Sequence, residues 1–336
     1  MEIINKIIFL DQSIGLGDQL CLQPIILYIK KYTNPNAVVY VETDYPEIYQ
    51  GTDIITEQKE EEFSKDMSGF EKISFFIYKK DNILKIPKQE FKGHSVDLAN
   101  LFVDSYLMLN HKYLPYICLF NHPMLMPCTD FYSCAYLGRI LPEEEKRITI
   151  SLKKEAIEKI KQLVFPIDLE KAIIIHRKSL EQIRELPAEY SIDLLKSLSK
   201  IAPTILFGQG EEEVNIPENI INLTNKLSID ELFTLISQAK ILVTNDSSPL
   251  HIASAFDNHI ILLTTLKHQD NLFHVRNGSR HYKAKAFYKK LIIEGKDIPL
   301  EEVPALHTPT PNPAKYNLVE YLPNIQEVVE YVKSLF

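Results

Sequence analysis

The residues Asp246-Ser247-Ser248-Pro249-Leu250-His251 place a carboxylate, two hydroxyls and an imidazole within six positions. The apolar run Ile241 to Val243 before them reads as a strand. Pro249 stands where the first position of a following helix would be, where its missing N–H would be unpaired in any case. A serine just ahead is expected to cap that helix. Such a helix start offers amide donors and a positive dipole end, which can hold a diphosphate without a lysine. An ordinary capped helix explains Ser247, Ser248 and Pro249, but not Asp246 and His251 on either side. His251 falls in the first helical turn, and Asp246 stands just before the cap.

Further candidates lie at other strand ends. His176 closes the run Ile173-Ile174-Ile175, in the usual loop position for a ligand contact. Asp18 follows Gly15-Leu16-Gly17 after the first apolar run, and Arg184 precedes Leu186-Pro187. Glu211, Glu212 and Glu213 follow Gly208-Gln209-Gly210, a tight turn after a strand, and the acidic run reads best as a solvated face. No Asp-x-Asp follows a strand and no histidines pair at ligand spacing, so no metal site is expected. Cys21, Cys118, Cys128 and Cys134 form no CxxC pair and read as inert thiols.

The elements that must position these groups alternate. Strands are expected at Ile7 to Leu10, Ala37 to Glu42, Ala172 to Ile175, Thr204 to Phe207, Ile241 to Val243 and Ile260 to Leu263. Helices are expected from about Asp18, near 192–200, over Ile229 to Ala239 and from Pro249. This rhythm predicts α/β architecture with parallel sheets covered by helices, and ligands on such sheets bind beyond the strand C-termini. In the stretch 51–135 the topology is not assignable, although a strand over Ile73 to Tyr78 and a helix over Val96 to Leu109 are expected. A chain of 336 residues exceeds what one core usually organises. The charged stretch Glu143 to Arg147 reads as an exposed connector. The expected domains are 1–150 and 151–320. A helix within 321–336 would pack back across either.

Composition narrows the function. With 45% hydrophobic and 24% charged residues the chain is globular. A net charge of −8 without a dense basic run excludes nucleic-acid tracking. The short basic pairs allow at most peripheral membrane contact. The first apolar run is too short for a signal peptide or a membrane span, which points to the cytoplasm.

Asn245-Asp246-Ser247-Ser248-Pro249-Leu250-His251-Ile252-Ala253-Ser254-Ala255 resembles the Asp-Ser/Thr-Gly-Pro-x-His-x-Ala-x-Ala signature of glycosyltransferase family 9, the heptosyltransferase-like enzymes. Ile14 to Leu20, with Pro24 after it, looks like the family's glycine-aspartate loop. Arg184-Glu185-Leu186-Pro187 is similar to its Lys/Arg-x-Trp-Pro element, and Ile221 to Thr224 resembles the segment before the signature helix. Ser248 replaces the usual glycine and Leu186 the tryptophan.

The resemblance implies a GT-B fold, two Rossmann-like domains whose parallel sheets face a central cleft. It also implies an inverting transfer of a sugar, often heptose from an ADP-linked donor, onto lipopolysaccharide core sugars or protein. Such a reaction needs a base near the acceptor hydroxyl and positive charge near the leaving diphosphate. Asp18 is the candidate base, beside its plainer reading as a first-turn acid. Arg184 is the candidate cation, beside its reading as a surface arginine. Domain 151–320 would bind the nucleotide and domain 1–150 the acceptor. Gly17, His176, Asp246, Ser247, Ser248, Pro249, Leu250 and His251 are expected to hold the nucleotide sugar, His176 and His251 through a phosphate or a sugar hydroxyl and Asp246 by orienting Ser247 or the sugar. No cofactor beyond this donor and no divalent metal are expected. The acceptor would be a glycan, a lipid-linked glycan or a protein. Three alternatives compete: a non-catalytic sugar-nucleotide-binding or assembly protein, a sugar-nucleotide epimerase, and a nicotinamide-dependent enzyme suggested by Gly15-x-Gly17. The last lacks a third glycine, and Pro24 is expected to interrupt its early helix.

Overall fold

The computed structural model describes residues 6–10, 15–33, 38–57, 76–77, 90–91, 94–95, 129–130, 133, 141–179, 181–210, 215–266, 283–292 and 313–336. The expected helix over 96–109 and the acids 211–213 lie outside them. Two compact units divide between Ser151 and Leu152.

The N-terminal unit begins with strand β1 (Lys6–Leu10), helix α1 (Leu16–Thr33), β2 (Val38–Glu42) and β3 (Ile54–Glu57). β1, β2 and β3 pair in parallel. β4 (Phe76–Ile77) is the described part of the strand expected over 73–78, and it joins β1 antiparallel, so this sheet is mixed. A two-residue antiparallel pair follows, β5 (Glu90–Phe91) and β6 (His94–Ser95).

Helix α1 starts two residues before Asp18 and runs through Pro24 to Thr33. Proline costs an interior helical hydrogen bond, roughly 3 kcal/mol, so the expected break is overridden by packing. Leu20, Cys21, Leu22, Ile25 and Ile26 are all buried. The neighbouring Gln23 side chain is a strut. Its Nε2 donates to the carbonyls of Ile48 and Thr149 at 2.6 and 2.7 Å, and its Oε1 accepts from the Thr149 amide at 2.8 Å. In the segment 143–147 Glu143, Glu144 and Arg147 are exposed, as expected, and one residue departs from that reading. Lys146 is buried, with its Nζ 2.7 Å from Asp130 and 2.6 Å from Glu143.

The C-terminal unit holds a six-stranded sheet in the order β12-β11-β10-β7-β8-β9, parallel throughout. The strands are β7 (Ile173–His176), β8 (Thr204–Phe207), β9 (Ile221–Asn222), β10 (Ile241–Thr244), β11 (His259–Leu263) and β12 (Lys283–Phe287). Every residue of β7, β8 and β10 is buried, the mark of strands covered on both faces. Alternation sends Ile173, Ile175, Ile241, Val243, Ile261 and Leu263 to one face. There they meet α3 (Ala188–Leu198) and α6 (Ile325–Lys333) in one core. The other helices are α2 (Lys154–Val164), which packs on α4 (Ile229–Gln238), and the short α5 (Ser248–Ala253). No helix among the described residues is long and apolar enough to cross a membrane.

Candidate functional site

The strand order reverses between β7 and β10. The chain runs outward from β7 through β8 to β9, then returns to lay β10 on the other flank of β7. At such a switch point the loops leave the sheet in opposite directions and open a crevice at the strand C-termini. His176 ends β7, and Asn245, Asp246 and Ser247 follow β10 directly.

These residues form one connected network. Asn245 is fully buried, and its Nδ2 faces the carbonyls of Arg177, Lys178 and Arg184 at 3.1, 3.1 and 2.7 Å. Its Oδ1 lies 2.7 Å from the Ser247 hydroxyl and 3.2 Å from His176 Nδ1, and the hydroxyl is 3.1 Å from that same nitrogen. Arg184 sits in a turn over Gln182–Arg184, with Nε 2.9 Å from Glu181 and Nη1 3.4 Å from the buried carboxylate of Asp246. The Leu186 amide donates to the Arg177 carbonyl at 3.0 Å and closes the loop. The switch point therefore gathers His176, Arg184, Asp246 and Ser247.

Burial holds His176 neutral: loss of solvent lowers its pKa to about 4, with Asn245 opposing and the charge of Arg177 assisting. The ring lies beside Gly208, where φ is +151° and an added Cβ would come within 3.3 Å of the imidazole. This glycine is needed both for its backbone angle and for the close approach.

Ser247 occupies the N-cap position of α5 but makes no side-chain capping bond. Its hydroxyl is drawn to Asn245 instead, which corrects the expected cap. Ser248 opens the helix and is half-buried, as is His251 in the same short helix. Pro249 and Leu250 are buried in the core and could offer a ligand only backbone. Leu186, at the position of the family's tryptophan, is also a core residue.

Gly17 and Asp18 lie in the first turn of α1 in the N-terminal unit, both half-buried. Asp18 is at the head of the helix, as expected, while Gly17 belongs to the same helix and not to the loop expected for it. Asn245 and the buried Arg177 were not singled out as site residues. An amide at the end of a wholly buried strand must find partners, and that signal was available in the sequence. Arg177 carried no comparable signal beyond following His176. Among the described residues no group of three or more His, Cys, Asp or Glu side chains could hold a metal ion.

Residues 135–268 match the family model described as Glycosyltransferase family 9 (heptosyltransferase). This span contains His176, Arg184 and the whole of 245–251, while Asp18 lies before it. Among solved structures, the chain is similar over 99% of its length to a glycosyltransferase family 9 protein from Veillonella parvula DSM 2008, covering 97% of that chain at 13% identity and a TM-score of 0.59. It is similar over 98% of its length to the E. coli ADP-heptose LPS heptosyltransferase II, covering 98% of that chain at 14% identity and a TM-score of 0.58. It also matches the iron-containing dodecameric glycosyltransferase TibC from enterotoxigenic E. coli H10407, with 82% of this chain on 62% of that one, 13% identity and a TM-score of 0.50. No curated protein matches the sequence. At these identities the structures establish a shared GT-B fold, and the family match carries the resemblance in sequence.

Proposed function

We propose that the chain, which resembles glycosyltransferases of family 9, moves a sugar from a nucleoside diphosphate donor to a hydroxyl of a glycan or protein, with inversion. The donor would bind at the switch point between β7 and β10. The observation that carries this reading is the Arg184–Asp246–Ser247–Asn245–His176 network at that crevice. It fixes a guanidinium and a set of hydroxyl-reading groups within a few ångströms at the place where parallel sheets bind ligands.

In the reaction, the acceptor oxygen forms a bond to the anomeric carbon and the bond from that carbon to the diphosphate breaks. The electron pair leaves with the nucleoside diphosphate, and the acceptor proton passes to a carboxylate, for which Asp18 is the candidate. Attack opposite the leaving group inverts the anomeric centre. Arg184 meets the charge that develops on the diphosphate, a task suited to a planar fork held from two sides by carboxylates. With the phosphate charge met in this way, turnover is expected without a divalent metal. Complete loss in EDTA, restored by magnesium, would overturn that part. ADP-heptose is the favoured donor because a relative of matching length is described as an ADP-heptose LPS heptosyltransferase.

The test is thermal denaturation with ADP, UDP, GDP and CMP and their sugar conjugates. A nucleotide at 100 times its Kd stabilises the folded state by about 2.7 kcal/mol. Stabilisation by ADP above the others, lost in Ser248→Trp, supports the reading. No response to any nucleotide overturns it in favour of a non-catalytic protein of the same fold.

A further inference from the structure

The orientation of the Asn245 amide is dictated by its surroundings. Three carbonyl oxygens, from Arg177, Lys178 and Arg184, face one end of the side chain. Only the NH2 end can point there, because the reverse would set four oxygens against one another. The carbonyl oxygen must then face Ser247 and His176. An oxygen acceptor at 3.2 Å from His176 Nδ1 requires the proton of the neutral imidazole on that nitrogen, which leaves the lone pair on Nε2. The Ser247 hydroxyl completes the arrangement by donating to Asn245 Oδ1 while accepting from the same N–H.

We propose that Asn245 is the positioning residue of this site, pinning the loop that carries Arg184 to the end of β10 and fixing His176 as the Nδ1–H tautomer. The inference deepens the transferase reading and rests on it for the role of Arg184. The Arg184 main chain is held through its own carbonyl at 2.7 Å, and its guanidinium reaches Asp246, the next residue after Asn245. One amide therefore sets both ends of the distance between the cation and the signature loop. The tautomer has a chemical consequence: an Nε2 lone pair accepts from a hydroxyl and repels a phosphate oxygen. His176 is thereby suited to a ribose or sugar hydroxyl, which narrows the phosphate-or-sugar role expected from the sequence.

The tautomer is read directly by long-range 1H–15N correlation on protein labelled at histidine nitrogens, with His176 assigned by its loss in His176→Gln. The wild-type chain should show a protonated Nδ1 and an unprotonated Nε2. In Asn245→Ala the proton should move toward Nε2, and kcat should fall by about tenfold or more. A wild-type Nε2–H tautomer overturns the inference without any variant having to fold. An Asn245→Ala protein with unchanged tautomer or unchanged kcat overturns it as well. The nitrogen shifts do not depend on turnover, so failure of this inference is distinguishable from failure of the transferase reading.

Discussion

The two ends of the C-terminal sheet each carry a histidine on a strand, yet they are built differently. At the strand C-termini His176 is buried and shares hydrogen bonds with Asn245 and Ser247. At the strand N-termini His259 is half-buried in a groove of about 950 Å³ lined also by Phe165, Asp168, Lys240, Asn258 and Lys283. Its pKa is lowered by burial first and then by the charges of Lys283 and Lys240. Lys240 lies over the Phe336 ring at 4.2 Å, and Phe165 is 80% exposed. A roomy groove thus lies at the end of the sheet away from the His176 network. The organised groups sit at the topological switch point. Satisfied polar networks fix geometry, and a roomy groove alone does not.

The sharpest way to break this contrast is to remove charge at each end. Arg184→Ala should lower kcat by about 10³-fold, in the range seen when a group facing transition-state charge is deleted. Asp18→Asn should abolish transfer with ADP affinity nearly intact, since the base acts on the acceptor. Lys240→Ala and Lys283→Ala should stay within about twofold of wild type. Steady-state transfer assays with titration calorimetry separate these effects. If Lys240→Ala matched Arg184→Ala, the functional end of the sheet would have been misassigned.

A second difference is in proton linkage. The His176 pKa in the folded chain is about 4, against an ordinary value of 6.5. The unfolded chain therefore takes up the proton first as pH falls. The contribution to stability is complete above about pH 6.5 and is lost progressively down to pH 4, about 3 kcal/mol in all. Urea unfolding at pH 7, 5.5 and 4.5 should show this loss in the wild type and a flatter profile in His176→Gln. A profile of equal steepness in the two proteins would mean that His176 is not held neutral by the fold.

Much of the C-terminal unit was legible because its strands are continuous apolar runs with few other places to go. Thr204–Phe207 is observed as expected, and β7, β10 and β11 are displaced from their expected bounds by one residue at most. The short strands Ile221–Asn222 and Lys283–Phe287 were not expected as strands. The first is only two residues long, and the second alternates charge with small side chains at a sheet edge. Helix α1 defeated local rules at Pro24, where burial of the flanking residues outweighs a missing hydrogen bond. Ser247, Asp246 and Arg184 were legible through their motif. Asn245 lies within that motif, but its value rests on three backbone carbonyls from a loop some sixty residues earlier, a relation that no spacing in the sequence encodes.

The smallest expected effect separates two serines that occupy the same formal position. Ser228 is the N-cap of α4 and forms a complete capping box with Glu231: the Glu231 amide donates to the Ser228 hydroxyl, and the Ser228 amide donates to the Glu231 carboxylate. Ser247 is the N-cap of α5 and makes no such bond, because its hydroxyl serves Asn245 and His176. Ser228→Ala should therefore cost about 1 kcal/mol of stability and leave nucleotide binding unchanged. In Ser247→Ala no capping bond is lost, but buried Asn245 and His176 lose a hydroxyl partner, so about 1 kcal/mol of stability should go here too, and kcat should fall as well. Denaturant midpoints and transfer rates measured on both variants separate them: both should lose stability, and only Ser247→Ala should lose activity. Were Ser247→Ala to lose stability as Ser228→Ala does, and no activity, its hydroxyl would be an ordinary part of the fold. The contrast between the ends of the sheet would then rest on Arg184 and Asp246 alone.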